Sequence, residues 1–275
     1  MACKIYKRDL GDSMVIVDQN KCIGCGLCEA DCVGKAIVVE DGKATIKREC
    51  IQCGHCVAIC PVNAVSIPDY DMDDVEEYSD TNFKLDPTEL LHAIKFRRSI
   101  RNYKADKVSD QDVEMLVQAG RYTASSKNVQ ACDFIFVQEE LDKLKEHIWG
   151  FIDEKAKNEG KELPKEFLQF VAFSRLRKSK GVDFLFRNAP MVLFLTSDWP
   201  NDAGLVAQNI ENMAVSLGMG ALYNGYLARI ADDNEELKKW LGIEGKTIKV
   251  CMLLGYPNVS YRRTAPRKEP NVIRK

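Results

Sequence analysis

The sequence predicts two unlike domains in one chain: a small cysteine-rich module, then a larger domain whose sheet is covered on both faces by helices. Three observations lead there. Residues 21–32, KCIGCGLCEADC, and 50–61, CIQCGHCVAICP, hold eight of the eleven cysteines and align at a constant offset of 28, an internal repeat. Residues 68–90 carry nine acidic side chains and one lysine with little apolar pattern, as a solvated linker does. From there to the end, strand-like and helix-like apolar patterns alternate.

Composition narrows the function classes. The 275 residues are 45% hydrophobic and 29% charged, and the formal net charge is −2. That balance suits a globular protein with a sizeable core and gives no reason to expect nucleic acid or a membrane surface as partner. The first residues, MACKIYKRDLGD, contain no apolar h-region, and no later stretch approaches the roughly 18 apolar residues of a spanning helix. A cytoplasmic protein is therefore expected. Repeated two-residue gaps between cysteines in a chain of this kind point to metal thiolates in a reducing compartment rather than disulfides.

Within the repeat, a short apolar run follows each fourth cysteine, AIVV from Ala36 and AVSI from Ala64, and each reads as a small strand. After the linker, Asp86 is a good N-cap, Pro87 suits the first helical position and Glu89 stands three residues beyond the cap; Leu90, Leu91 and Ile94 then make one apolar face. A second helix starts at Ser109, with Asp112 three residues on and Val113, Leu116 and Val117 as its buried stripe. DFIFVQ from Asp133 reads as a strand, and residues 141–157 and 165–179 read as helices. MVLFLTSD from Met191 is so continuously apolar that a strand buried on both faces is expected. LVAQNIENMAVSLG from Leu205 is a helix with Gly218 at C′, residues 234–241 form a short helix, and TIKVCMLLGY from Thr247 is the last strand.

The cysteines carry the strongest chemistry. A [4Fe-4S] cluster needs four thiolates converging on one cube, and C-x2-C-x2-C supplies three of them from one loop. Zinc sites instead pair two C-x2-C knuckles. The segment 17–67 resembles a bacterial two-cluster ferredoxin, in which the fourth cysteine of each run ligates the other cluster. The resemblance implies two [4Fe-4S] clusters, one on Cys22, Cys25, Cys28 and Cys60, the other on Cys50, Cys53, Cys56 and Cys32, in a domain spanning 1–67. Cys251, inside an apolar strand, reads as a small buried hydrophobe, and His55 as an exposed neighbour of the second cluster.

The larger domain contains no G-x-G-x-x-G after a strand, no P-loop and no H-E-x-x-H. Four other segments stand out. RRSIRNY from Arg97 offers three arginines in five residues, either as a solvated helix end or as a grip for phosphate. TASSKNVQACDFIFV from Thr123 is a polar turn before a strand. SLGMGALYNGY from Ser216 is glycine-rich, and PRK from Pro266 is a basic triplet near the end. In this order they resemble the nitroreductase flavoprotein family, over residues 87–275, with 68–86 left as an acidic linker.

That resemblance implies an α+β fold, a sheet flanked by helices in an intertwined homodimer, with one FMN at each subunit interface. It implies that Arg97, Arg98, Ser99 and Arg101 bind the FMN phosphate, ribityl chain and pyrimidine edge. Ser125, Ser126 and Asn128, with Gln130 nearby, match the loop that the partner subunit lends to the flavin. Asn224 and Gly225 fall where backbone N–H groups face flavin N5 and O4. Arg267 matches a basic residue at the phosphate, assisted by Lys268. No obligatory catalytic acid or base is identified.

The expected function is that of an oxidoreductase. Electrons from a low-potential donor, a ferredoxin-type protein or a reductase, enter through the clusters, pass to FMN, and reduce an electrophilic small molecule by hydride transfer from flavin N5. Nitroaromatics, quinones and activated alkenes are the acceptors the family implies. The alternative is an electron-transfer relay to a protein partner with no small-molecule substrate of its own. Iron–sulfur chemistry of this kind suits anaerobic conditions.

Overall fold

The computed structural model describes residues 15–79 and 84–275. The amino-terminal run, Cys3 and the linker residues 80–83 lie outside the described residues. The chain divides into two compact units. One holds the described residues up to Lys84 together with Lys127–Val129, the other Leu85–Ser126 and Gln130–Lys275.

The first unit follows the cysteine repeat. Strand β1 (Ile16–Val17) pairs antiparallel with β4 (Val65–Ser66), and β2 (Ile37–Glu40) with β3 (Lys43–Ile46) in a hairpin. Helices α1 (Leu27–Asp31) and α2 (His55–Ala58) each start at a glycine in the left-handed conformation, Gly26 and Gly54, 28 residues apart. The apolar interior is small, with Ile37, Ala44, Ala64, Val65 and Ile67 buried among the cysteines. Gly24 cannot be replaced cheaply. Its φ is +66°, and a Cβ there would stand 2.1 Å from the Gly42 carbonyl oxygen.

The second unit begins with α3 (Pro87–Phe96), where the Asp86 carboxylate accepts from the N–H groups of Thr88 and Glu89 as the sequence requires. The apolar face expected on this helix is present but is not buried in the chain: Leu90, Leu91, Ile94 and Phe96 are all exposed. Helix α4 (Asp110–Arg121) is capped by the Ser109 hydroxyl, which accepts from Asp112 N–H. Then come β5 (Asp133–Val137), α5 (Leu141–Glu159), α6 (Leu168–Lys180), β6 (Met191–Thr196), α7 (Pro200–Ser216), β7 (Gly220–Tyr223), α8 (Gly225–Asp232), α9 (Glu235–Trp240) and β8 (Ile248–Gly255).

The sheet runs β5-β6-β8-β7, antiparallel at every pairing. Six consecutive residues of β6 are buried, and their alternation feeds two cores. Val192 and Phe194 pack with α5, α6, α8 and α9, while Met191, Leu193 and Leu195 pack with α4 and α7. Cys251 and Leu253 of β8 join the first core, and Met252 and Leu254 the second. This is the α+β sheet, covered on both faces, that the sequence predicts.

In the second unit two elements were not expected, β7 and α8. Residues 216–226 were read as a glycine-rich entry to a new segment, yet they contain β7 and the start of α8. The strand is only four residues long and opens with a glycine, so its periodicity is too short to register. Helix α7 also starts at Pro200, five residues before its expected first residue. Proline suits that first helical position.

Candidate functional site

In the first unit the eight cysteines surround two cavities of equal empty volume. One is lined by Cys22, Cys25, Cys28 and Cys60, the other by Cys32, Cys50, Cys53 and Cys56. Each cavity thus draws three thiols from one run and the fourth from the other. The cause is local: each run starts a short helix beside its cavity, and the chain leaving that helix carries the fourth cysteine across to the neighbouring cavity.

The sulfurs are met by main-chain donors. Cys22 Sγ accepts from Ala44 N–H at 3.4 Å and Cys50 Sγ from Gln52 N–H at 3.3 Å. Cys32 Sγ and Cys60 Sγ accept from Ala36 and Ala64 N–H, both at 3.2 Å, which is the same bond repeated 28 residues on. The bonds from Ala44 and Gly24 hold the Cys22 thiol below its ordinary range. Burial opposes ionisation of Cys32, but the N–H groups of Ile37, Ala36, Gly34 and Lys35 outweigh it and lower its pKa. Cys56 goes the other way: burial, with the neighbouring Cys50 and Cys53 sulfurs, pushes it up to about 11. Positive charge in the cavity would favour the Cys56 thiolate, and the iron of a cluster would supply it.

Among the described residues no three His, Cys, Asp or Glu side chains converge on a single-ion site. Sulfurs spaced around a cavity and hydrogen-bonded to backbone fit a polynuclear cluster better than one tetrahedral ion at about 2.3 Å. His55 stays exposed, its Nδ1 2.9 Å from an Asp31 carboxylate oxygen, as expected of a neighbour rather than a ligand.

In the second unit a cleft of about 450 Å3 is lined by three arginines, Arg101, Arg187 and Arg229, and by Leu222, Tyr223, Asn224, Gly225 and Tyr226, with Phe184 and Gln169. It lies at the start of α8. The Asn224 side chain caps that helix by accepting from Leu227 N–H, and its Nδ2 donates to the Leu185 carbonyl at 2.6 Å. The Asn224 N–H, expected to face the flavin, instead donates to the Cys251 carbonyl at 2.8 Å because the residue follows β7 directly and is still paired to β8. The N–H groups left at the positive end of the helix are those of Gly225 and Tyr226.

Arg101 reaches this cleft because the RRSIR segment lies along β7. Ser99 bridges Ala221, and Ile100 N–H donates to the Ala221 carbonyl at 3.0 Å. Tyr103 ties the same segment to β8, donating to the carbonyls of Ile100 and Leu253. Gly220 makes the approach possible, since a Cβ there would stand 2.2 Å from Ile100 Cγ1.

The other expected phosphate ligands are held as follows. Arg97 Nη1 donates to the buried Glu211 carboxylate at 3.1 Å. Arg98 donates to the carbonyls of Lys95, Arg97 and Arg263, and its guanidinium faces the Tyr261 ring. That bond to Arg263 brings the carboxy-terminal segment, three residues short of Pro266, to RRSIR. Arg267 and Lys268 are exposed. Tyr223, lining the cleft, has its phenol pushed up by burial and by Glu211, so it stays a neutral donor.

The remaining expected flavin contacts are not brought to this cleft in a single chain. Ser126 gives its N–H and hydroxyl to the buried Asp202 carboxylate, and the Ser125 hydroxyl accepts from Gln130 N–H. Asn128 groups with the first unit, where its Nδ2 donates to the Ile51 and Gln52 carbonyls. Lys127, Asn128 and Gln130 all have positive φ, an unusual concentration for non-glycine residues. Sequence reasoning missed Phe184, Arg187, Tyr226 and Arg229. The polar pair Arg187-Asn188, set between the buried Phe186 and the β6 run, was the available signal for Arg187.

A model described as the nitroreductase family matches residues 94–256, and a 4Fe-4S dicluster domain matches residues 14–61. A Vibrio harveyi NADPH-flavin oxidoreductase is 27% identical over 184 residues, 66% of this chain and 71% of that protein. A protein of Archaeoglobus fulgidus, provisionally named NADH dehydrogenase/NAD(P)H nitroreductase, is 29% identical over 171 residues, 62% of this chain and 86% of its own. A crystal structure of a nitroreductase with bound FMN from Desulfitobacterium hafniense covers 67% of this chain and 98% of its own, with a TM-score of 0.52 and 25% identity.

Proposed function

The chain belongs to the nitroreductase family, and from that premise we propose that it passes electrons from two [4Fe-4S] clusters to FMN and on to an electrophilic small molecule. It is a flavin-type oxidoreductase with an iron–sulfur domain. The observation that carries the proposal is the convergence of Arg101, Asn224 and Gly225 on one cleft in a chain that also encloses two cysteine-lined cavities.

FMN, when bound, takes electrons one at a time and gives up two together, which is the conversion a cluster-fed reductase needs. The chain's own residues do the rest. The guanidinium of Arg101 and the positive end of α8 favour negative charge in the cleft, and would favour an anionic cofactor held there. The N–H groups of Gly225 and Tyr226 would serve its polar edge. Arg97, Arg98, Arg267 and Lys268 would hold the phosphate, with Ser99 on the ribityl chain. Ser125, Ser126, Asn128 and Gln130 would serve the flavin of a second copy. The acceptor gains two electrons and two protons: a nitro group becomes nitroso and releases water, and a quinone becomes a hydroquinone.

The exposed apolar face of α3 supports the homodimer, because Leu90, Leu91, Ile94 and Phe96 are left exposed among the described residues. Ile94→Lys is expected to shift the sedimentation coefficient toward that of a monomer; an unchanged value would remove this helix from the interface. Thiolate ligation of iron suits a reducing compartment, the cytoplasm, with a ferredoxin-type protein, a reductase or NAD(P)H as donor. No helix among the described residues is long and apolar enough to cross a membrane.

The test is anaerobic. Protein purified without oxygen is reduced with one load of dithionite and mixed rapidly with a nitroaromatic compound. Flavin reoxidation that accelerates with acceptor concentration is expected. Reoxidation no faster with acceptor than without would reject a reductase and leave a relay to a protein partner.

A further inference from the structure

Among the described residues, three arginines line the cleft and no carboxylate does. Arg101 is accounted for by the cofactor. Arg187 and Arg229 are not, and both sit beside an aromatic wall. Phe184 stacks on Phe173 with ring centroids 4.1 Å apart, and Tyr226 meets Phe173 edge-on at 5.5 Å and Phe184 at 6.1 Å.

Arg187 is fixed by the turn that carries Phe184. Its guanidinium lies 4.0 Å from the Phe184 ring centroid, and no carboxylate pairs with it among the described residues. The backbone there is unusual: Arg187 and Asn188 have φ of 55° and 54°, two non-glycine residues in the left-handed region in succession. The turn is held by Arg187 N–H on the Asp183 carbonyl, Phe186 N–H on the Asp183 carboxylate, and the Asn224 amide on the Leu185 carbonyl. One asparagine thus joins the start of α8 to the turn that presents Arg187. Arg229 stands one turn along α8 from Tyr226, and its only carboxylate neighbour among the described residues is Glu166, 3.8 Å away with both side chains about half exposed. So distant and solvated a pair is weak.

We propose that Arg187 and Arg229 make this cleft selective for flat aromatic acceptors bearing a carboxylate or similar anionic group. Phe184 is covered by Phe173 on one face and by the Arg187 guanidinium on the other, so the exposed Tyr226 ring takes the face of the acceptor and the two guanidinium forks take the anion. The inference rests on the reading that the cleft holds the flavin and reduces small molecules there.

The experiment uses the flavin-loaded full chain, with 4-nitrobenzoate and its neutral counterpart 4-nitrobenzamide as acceptors. The ratio of kcat/KM for the anion to that for the amide is expected to fall about tenfold in R187Q/R229Q, and to fall in the unaltered protein as salt is raised. Benzoate, which cannot be reduced, is expected to perturb the oxidised flavin spectrum with a Kd that rises by a similar factor in the variant, while benzamide's does not. A ratio insensitive to both the substitutions and salt overturns the inference, as does loss of flavin from the variant, which would assign the arginines to the cofactor. Failure of both acceptors to reoxidise the reduced flavin is a different result and rejects the underlying reading.

Discussion

Replacing Cys60 with serine is expected to abolish the cluster of the other cysteine run. Cys60 lines the cavity of Cys22, Cys25 and Cys28, not that of Cys50, Cys53 and Cys56. Iron should fall from about eight to about four atoms per chain. Pairs of substitutions identify which cluster has gone, because changes acting on one unit do not add. Cys60→Ser with Cys25→Ser should lose no more iron than either alone, whereas Cys60→Ser with Cys53→Ser should lose nearly all of it. The opposite pattern in iron analysis and in the low-temperature EPR of the reduced protein would mean that each run closes its own cluster.

Removing the phosphate grip is expected to have the second largest effect. Arg97→Ala with Arg267→Ala should raise the Kd for FMN by about a hundredfold or more, since two charge-assisted contacts of about 1.5–3 kcal/mol each are lost. Iron should stay at its full level. One complication follows from the structure: Glu211 is only 1% exposed and pairs with Arg97, so deleting the arginine leaves a buried carboxylate uncompensated. That alone costs about 3–5 kcal/mol of stability. Adding Glu211→Gln removes the stranded charge, and flavin affinity is then compared in a protein whose melting temperature has recovered. Flavin retained at full occupancy in that triple variant would refute the assignment.

Much of the fold was legible in the residues. The Asp86 and Ser109 caps have the expected bonds, and the continuous apolar run of β6 is buried on both faces. These are local or short-period features, decided by side chains within one turn or one strand. β7 was not legible, because four residues starting with glycine carry almost no pattern and the strand is specified by its neighbours β8 and Ser99–Ile100.

The site divides in the same way. Arg101, Asn224 and Gly225 stood out by resemblance, and one cleft brings them together. Arg187 and Arg229 did not stand out. An isolated arginine in a turn or on a helix reads as a solvated charge, and only the fold shows that these two face one cleft. The apolar face of α3 shows the converse: its periodicity announces a buried face, and the described residues leave it exposed.

By itself the sequence determined the ligand chemistry, since eight thiols at a 28-residue repeat commit the first domain to metal whatever surrounds it, and RRSIR and PRK supply fixed positive charge. The exchange of Cys32 and Cys60 between the runs was implied only by resemblance, and the tertiary structure decided which thiols share a cavity in this chain and which arginines face one cleft. Spacing along a chain fixes only what a single loop can reach. Contacts between residues far apart in sequence, such as Cys22 with Cys60 around one cavity or Arg101 with Arg229 around another, exist only once strands and helices have packed.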